Sequence, residues 1–224
     1  MLKDNEFFIQ KESGSISNLE NVLRFTGGSV GISHTRWATH GEPSETNAHP
    51  HKVGHVTLVH NGIIENYSDI KQDLLSKGMN FVSETDSEVA CGYINYMYEQ
   101  TGDKMASIKA ACDEFRGSYA LPIIFDDEPN TIYSVRKNSP LIVGLSDNGN
   151  FVSSDVSAIL NYTNKYMLLD NDEYVKVNAS SGVCAAEMAF KMLAKAGVSG
   201  VNVVKSNGRL TDCYDPRNKI IKLT

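Results

Sequence analysis

Polar side chains that could do chemistry are concentrated in one stretch of this sequence, residues 31–51, which reads GISHTRWATHGEPSETNAHPH. A second block, LVHNGIIEN, follows at residues 58–66. All six histidines of the chain and its only tryptophan lie between residues 34 and 60. Core packing does not need such a concentration of hydrogen-bonding groups, so we interpret the two blocks as a functional site.

The residue types in these blocks suit the recognition of an amino acid with a side-chain amide. Arg36 offers a planar fork of N–H donors for a carboxylate. Thr39 and His40 add a hydroxyl and an imidazole on the same segment. Asn61 and Gly62 supply a side-chain amide and a backbone N–H, which together could stabilise an oxyanion.

Asp86 adds a carboxylate at a predicted helix start, in the sequence Ser83-Glu84-Thr85-Asp86. Its side chain either caps the helix or accepts a hydrogen bond from a ligand ammonium group. Combined with the two blocks, it predicts a site that holds an amino acid by both charged ends and places the amide carbonyl in an oxyanion hole.

Structural interpretations of the same residues remain open. Arg36 could form a surface ion pair, Trp37 could belong to the core, and Asn61-Gly62 is a common hairpin turn. His49 and His51 could begin a metal site because both rings lie on one side of an extended segment. No carboxylate or thiol is spaced to complete such a site, so we expect no metal and no other cofactor.

The elements that must position these residues follow from hydrophobic periodicity. Strands and a short helix come first, three helices follow, and the chain then continues as strands, which predicts an α+β fold with a layered core. We place a domain boundary after residue 178, because residues 179–224 are too few for a comfortable core of their own. The predicted strands are 6–11, 29–34, 55–60, 119–125, 131–135, 141–145, 150–153, 166–169, 173–177, 201–205 and 219–223; the helices are 18–25, 65–77 (closed by Gly78, with Leu75 inward), 85–100, 104–115 and 183–196.

Five motifs, GISHTRWATHGEPSETNAHPH, VHNGIIEN, FVSETDSEV, RGSYA and SPLIVG, resemble the glutaminase domains of glutamine–fructose-6-phosphate amidotransferases, the glucosamine-6-phosphate synthases. These are class II amidotransferases with the N-terminal-nucleophile hydrolase fold, an αββα sandwich. The resemblance covers residues 1–178 and implies glutamine hydrolysis, with ammonia passed to a sugar phosphate on an isomerase domain. It implies that Arg36, Thr39 and His40 contact the backbone end of glutamine, that Trp37 belongs to the ammonia gate, that Asn61 and Gly62 form the oxyanion hole, and that Asp86 binds the α-amino group.

The resemblance also implies a nucleophile that this sequence does not show. The family uses the thiolate of a cysteine at the mature N-terminus, with its own α-amino group as the base, whereas residues 1 and 2 here are Met and Leu. Cys91 and Cys112 fall at predicted helix positions where small apolar residues pack. We therefore expect a domain that lacks its first strand and helix, self-associates or is marginally stable, binds glutamine weakly and does not hydrolyse it alone. The alternatives are a catalytically inactive glutamine-sensing or interaction module, or a mis-assembled fusion fragment.

The last residues resemble a different family. Residues 183–224 include LTDCYDPRNK and are similar to the N-terminal part of a neutral zinc metallopeptidase family. The HExxH motif that binds zinc in such enzymes is missing from this sequence, so we expect no peptidase activity from this C-terminal α/β appendage.

The composition of the chain argues against several classes of protein and of binding partner. The net charge of −6 argues against nucleic acid as a partner. No apolar run approaches the roughly 20 residues of a membrane span. The four cysteines are widely spaced, which indicates neither a disulfide framework nor a thiolate zinc site. A cytoplasmic protein is the resulting expectation.

Overall fold

The structure, a computed structural model, describes residues 1–3, 5–22, 30–36, 41–146, 149–178, 202–205, 213–215 and 220–223. The helices within these residues are α1 (Ile16–Val22), α2 (Tyr67–Ser76), α3 (Asp86–Thr101) and α4 (Lys104–Glu114). The strands are β1 (Leu2–Lys3), β2 (Glu6–Phe7), β3 (His51–Val53), β4 (Val56–Leu58), β5 (Asn61–Ile64), β6 (Gly117–Phe125), β7 (Thr131–Lys137), β8 (Ile142–Gly144), β9 (Phe151–Ser153), β10 (Tyr166–Leu168), β11 (Tyr174–Asn178), β12 (Asn202–Lys205), β13 (Cys213–Asp215) and β14 (Ile220–Leu223).

A six-stranded antiparallel sheet forms the centre, in the order β11–β7–β6–β4–β3, with β5 also paired to β6. Successive side chains of a strand point to opposite faces, and β6 shows this clearly. Leu121 and Phe125 pack into the core that the sheet shares with α2, α3 and α4, whereas Ala120 packs with Val143 of a second sheet. That second sheet has the order β10–β8–β9. The described residues thus form a helix layer, a central sheet and a second sheet.

The start of α3 is fixed by side-chain hydrogen bonds. Thr85 is the N-cap, and its Oγ1 accepts the N–H of Glu88 at 3.2 Å. The buried Glu88 carboxylate accepts the N–H groups of Ser83 at 2.6 Å and Val82 at 3.1 Å. These bonds satisfy backbone donors at the start of the helix, and they fix the segment before α3 against its first turn.

Strands β4 and β5 form one strand that is interrupted at Val59 and His60. The register against β6 is the same on both sides, since Leu58 faces Ile123 and Asn61 faces Ala120. Within the gap, the Val59 N–H donates to the carbonyl of Pro122 at 3.1 Å, and Pro122 has no N–H with which to return a bond. The proline therefore explains why the ladder is broken just before Asn61.

The second half of the predicted domain matches the structure well. Helices α2 to α4 and strands β6 to β11 begin and end close to their predicted positions, and Gly78 follows α2 with a positive φ of 88°. The prediction that Leu75 faces inward is wrong, because 46% of it is exposed. None of the helices among the described residues is long and apolar enough to cross a lipid bilayer.

The predictions near the N-terminus are less accurate. The predicted strand at 6–11 is limited to the two residues of β2, and the predicted strand at 29–34 is reduced to a single bridge between Val30 and Leu2. Residues 31–36 form no regular strand. Apolar alternation alone cannot make a strand, and none of the described strands pairs with these residues. The predicted helix at 18–25 is observed over residues 18–22 as part of α1, which begins two residues earlier than predicted, and residues 23–25 lie outside the described residues.

The C-terminal appendage, residues 179–224, contains the two predicted strands as β12 and β14, which pair in parallel. A third strand that the sequence did not predict, β13, pairs antiparallel with β14. The predicted helix at 183–196 lies outside the described residues, and the domain boundary after residue 178 stays a prediction.

Candidate functional site

A cavity of about 290 Å³ lies where β5 meets the N-terminal end of α3. Four of the predicted site residues line it, namely Arg36, Asn61, Gly62 and Asp86. Trp37, Thr39 and His40 lie outside the described residues, so their roles stay predictions. Among the described residues, the lining is His34, Thr35, Arg36, His49, His60, Asn61, Gly62, Ile63, Thr85, Asp86, Ser87 and Ser118.

Asp86 is the first residue of α3 and is 3% exposed. Its Oδ2 accepts the N–H of Ile64 at 2.9 Å and lies 3.7 Å from Nδ1 of His60. The interpretation of Asp86 as the helix cap is wrong, because Thr85 has that position. Its carboxylate instead joins α3 to β5, at a helix end where the backbone dipole favours negative charge.

Gly62 lies within β5, so the hairpin-turn interpretation of Asn61-Gly62 is wrong. The N–H of Val59 donates to Pro122 of β6 and that of Glu65 to Arg116 just before β6, and N–H groups along an antiparallel strand alternate in direction. The Gly62 N–H therefore points away from β6, to the side from which Asp86 contacts Ile64. Glycine is required here, since its φ is 127° and a Cβ would collide with the carbonyl oxygen of Ser118.

Asn61 contacts a histidine from the first polar block. Its Oδ1 lies 2.6 Å from Nε2 of His34. Burial lowers the pKa of His34, the charge of Arg36 lowers it further, and the bond to Asn61 acts in the opposite direction. The sequence analysis did not include His34 among the site residues, although it lies in the motif that identified the site.

Arg36 is half-buried, and its guanidinium faces backbone carbonyls of the same polar block. Nη1 donates to the carbonyl of Glu42 and Nη2 to that of Gly41, both at 3.0 Å. These bonds hold residues 41 and 42 beside the cavity. Asn47 Nδ2 donates to the same Glu42 carbonyl at 3.0 Å and to Glu84 Oε2 at 3.1 Å, which ties this loop to the entrance of α3.

Ser87 joins two histidines that the sequence analysis did not place in the site. Its Oγ lies 3.0 Å from Nε2 of His49 and 3.0 Å from Nδ1 of His60, and it donates to Asp86 at 3.4 Å. A hydroxyl has one donor and two acceptor positions, so these three contacts use its full capacity. The repeated Ser and Thr residues of SETDSEV were the available signal for this network.

His49 and His51 do lie close together, with ring centroids 5.2 Å apart, but their partners are hydroxyl groups. His51 Nε2 is 3.1 Å from Thr85 Oγ1. Burial and the neighbouring cations lower the pKa of His51 to about 3 and that of His49 further. Both rings are therefore neutral near pH 7. Across the described part of the chain, no three His, Cys, Asp or Glu side chains are arranged to hold a metal ion.

Cys91 and Cys112 face the core, as the sequence predicts. Cys91 lies in α3 and is fully buried, its Sγ is 3.4 Å from the carbonyl oxygen of His51 and 3.3 Å from that of Val56, and burial raises its pKa well above the ordinary value. Burial also raises the pKa of Cys112 to about 11. Neither cysteine lines the cavity, and neither forms the thiolate that a nucleophile requires.

The family model of the glutamine amidotransferase domain matches residues 20–214. The chain is 48% identical over 187 residues to glutamine–fructose-6-phosphate aminotransferase (isomerizing) from Clostridium acetobutylicum, which is 82% of this chain and 30% of that protein. It is 43% identical over 175 residues to the protein of the same name from Pyrococcus horikoshii, 76% of this chain and 29% of that protein. The chain thus spans less than a third of the length of these relatives.

Solved structures with a similar fold include glutamine phosphoribosylpyrophosphate amidotransferase from B. subtilis complexed with ADP and GMP. The TM-score is 0.53, at 23% identity, over 65% of this chain and 32% of that one. A second, described as the allosteric regulatory enzyme of purine biosynthesis, has a TM-score of 0.54 at 24% identity, over the same shares of the two chains. These likenesses show a mixed α/β fold of the N-terminal-nucleophile type.

Proposed function

The chain belongs to the glutamine amidotransferase domain family, and from this premise we propose that its cavity binds L-glutamine for the transfer of the amide nitrogen. One observation carries the proposal. The cavity is lined by a guanidinium, a buried carboxylate, a side-chain amide and the segment around an outward-facing glycine N–H, which come from three separate parts of the sequence. These groups match the α-carboxylate, the α-amino group and the side-chain carbonyl of glutamine.

Each group has a proposed role. Asp86 accepts hydrogen bonds from the α-amino group, and Arg36 binds the α-carboxylate together with Thr39 and His40. The Asn61 side-chain amide and the Gly62 N–H donate to the oxygen that becomes negative when the amide is attacked. Trp37 belongs to the gate through which ammonia leaves.

Hydrolysis also needs a nucleophile, which Cys91 and Cys112 do not provide. A thiolate must reach the amide carbon, whereas Cys91 and Cys112 lie in the core with raised pKa values. We propose that the described residues form the glutamine-binding and oxyanion-stabilising part of the site. The same observation favours a second candidate function, a glutamine-sensing module that binds without hydrolysis.

The relatives that match the chain carry fructose 6-phosphate in their names. We propose that fructose 6-phosphate accepts the nitrogen, on an isomerase domain beyond the part that this chain spans, as one step of hexosamine synthesis. We also propose an αββα sandwich over residues 1–178, a cytoplasmic location, and self-association of the isolated chain. Sedimentation velocity tests the last point, and a monodisperse, cooperatively melting monomer would contradict it.

Calorimetry with L-glutamine tests the proposed binding, with D-glutamine as the matched control. The proposal predicts that the L-isomer alone binds. Asp86 must contact the α-amino group while Arg36 contacts the α-carboxylate, and both groups are attached to the same stereocentre. A folded chain that shows no preference between the isomers would refute it. Ammonia release decides between the two candidates: release that a thiol-directed glutamine analogue abolishes indicates an enzyme, whereas binding without release indicates a sensor.

A further inference from the structure

We infer that His34 is a positioning residue that sets the orientation of the Asn61 side-chain amide. The inference rests on the proposed function, because it concerns the proposed oxyanion donor. The observation behind it is the 2.6 Å separation between His34 Nε2 and Asn61 Oδ1, which joins the first polar block to β5 across 27 residues of sequence.

An asparagine amide has two ends of nearly equal shape and opposite hydrogen-bonding character. If Nε2 of His34 carries the proton, it donates to Oδ1 of Asn61 and the NH₂ group must point elsewhere, where it can donate to a substrate carbonyl. If Nε2 carries the lone pair, the NH₂ group turns to the histidine. Oδ1 would then face the substrate oxygen, which repels it.

The surroundings of His34 favour the proton on Nε2. His34 Nδ1 is buried and has no hydrogen-bond partner among the described residues. A buried N–H without an acceptor is costlier than a buried lone pair without a donor, so the proton belongs on Nε2, where Asn61 accepts it. The positive charge of Arg36 nearby disfavours a second proton on the ring.

Two variants of the full chain separate this role from a general packing role. His34→Gln keeps an N–H donor close to the position of Nε2, and His34→Leu removes the donor. The two ligands are L-glutamine and L-norvaline, which has the same α-amino and α-carboxylate groups and no side-chain carbonyl. The ratio of their dissociation constants reports the interaction with the carbonyl, and each constant is measured by calorimetry.

The expected result is that His34→Leu reduces the preference for glutamine over norvaline about tenfold, the value of one aligned hydrogen bond. The affinity for norvaline stays at the wild-type value. His34→Gln retains the wild-type preference within about twofold. An unchanged preference in His34→Leu overturns the inference, and so does an equal loss of affinity for both ligands, since that indicates a packing role.

A measurement on the unaltered chain applies even if His34→Leu does not fold. Nitrogen-15 NMR of the histidine rings identifies which nitrogen carries the proton, and we expect Nε2 for His34. A proton on Nδ1 overturns the inference, whatever the dissociation constants for glutamine and norvaline are. If the wild-type chain does not distinguish glutamine from norvaline, the proposed function is wrong, while the tautomer still decides the assignment of His34.

Discussion

The two walls of the cavity are built in different ways. The inner wall comprises residues 60–64 and 85–87, and the outer wall comprises residues 34–36. Contacts within the inner wall join residues far apart in sequence, such as Ile64 with Asp86 and His60 with Ser87. In the outer wall, Arg36 donates to carbonyls five and six residues ahead, and His34 links the wall to Asn61.

Exposure follows the same division. Asp86 and His60 are each 3% exposed, whereas Thr35 is exposed and Arg36 is half-buried. His60, Ile64 and residues 85–87 of the inner wall are buried, whereas Gly62 and Ile63 are exposed. The buried part belongs to the folded core, and changes that disturb it should reduce the free energy of unfolding. Changes in the outer wall should affect ligand affinity with little cost in stability.

The largest loss of stability is expected for Gly62→Ala in the inner wall. The substitution places a Cβ on the Ser118 carbonyl oxygen and forces a side chain into a positive φ, which should cost about 3 kcal/mol or more. Gly78→Ala is the matched control, because its φ is also positive and no atom lies within 4 Å of its Cβ. We expect about 1 kcal/mol there. Urea unfolding measures both, and equal losses would show that the collision with Ser118 is unimportant.

A slightly smaller loss is expected for Asp86→Ala. It leaves the buried N–H of Ile64 without its acceptor, which should reduce the free energy of unfolding by about 2 to 3 kcal/mol. Asp86→Asn is the control, since its side-chain oxygen can still accept that bond. We expect Asn to recover most of the stability without recovering glutamine binding, because the negative charge is gone. Recovery of both would show that the charge of Asp86 does not recognise the ligand.

The next largest loss is expected at acidic pH, from protonation of His49 and His51, which contact Ser87 and Thr85 of the inner wall. The folded state lowers the pKa of His51 from 6.5 to about 3 and keeps His49 neutral as well, whereas the unfolded chain takes up protons near pH 6.5. The stabilisation is complete above pH 6.5 and is lost as the pH falls towards 3. Between pH 7 and 5.5 the free energy of unfolding should fall by about 1 kcal/mol for each histidine.

Urea unfolding of wild type and His51→Gln at these two pH values checks this dependence. The variant retains only the contribution of His49 from this pair, so the difference between the two pH values should shrink by about 1 kcal/mol. An equal pH dependence in both proteins would contradict the assignment to His51.

The smallest change in stability is expected in the outer wall. In Arg36→Lys, the single ammonium group lacks the forked geometry that lets the guanidinium donate to the Gly41 and Glu42 carbonyls together. It also cannot bind a carboxylate in bidentate fashion. We expect a change of less than about 0.5 kcal/mol in the free energy of unfolding and a loss of about tenfold in glutamine affinity. The exposed Arg116, which is not part of the cavity lining, provides the control Arg116→Lys. A large loss of stability in Arg36→Lys would mean that the two walls do not differ as described.

The same division explains what the sequence could predict. The helices and strands after residue 65 were predictable because local signals specify them, for example the sequence Ser83-Glu84-Thr85-Asp86 at the start of α3. Motif resemblance named Arg36, Asn61, Gly62 and Asp86, which all line the cavity. It did not show the link from His34 to Asn61, since that contact depends on how a loop lies against a strand 27 residues later.

The N-terminal predictions failed for a related reason. Apolar alternation at residues 29–34 is typical of a strand, but a strand requires a neighbour, and there a single bridge joins Val30 to Leu2. The pair Asn61-Gly62 illustrates the opposite error. Its local signal indicates a turn, whereas pairing with β6 makes it part of a strand.

The break opposite Pro122 has a consequence for the rate at which amide hydrogens exchange with solvent. Before the break, strand residues have β3 on one side and β6 on the other; beyond it, β6 is the one strand that pairs with β5 among the described residues. The amide of Val59 donates to Pro122 of β6, that of Glu65 to Arg116 just before β6, and that of Ile64 to Asp86. The Gly62 amide, directed away from β6, should exchange much faster than its neighbours. A ligand that accepts a hydrogen bond from it should slow this one amide most, which would mark the oxyanion position by isotope exchange alone.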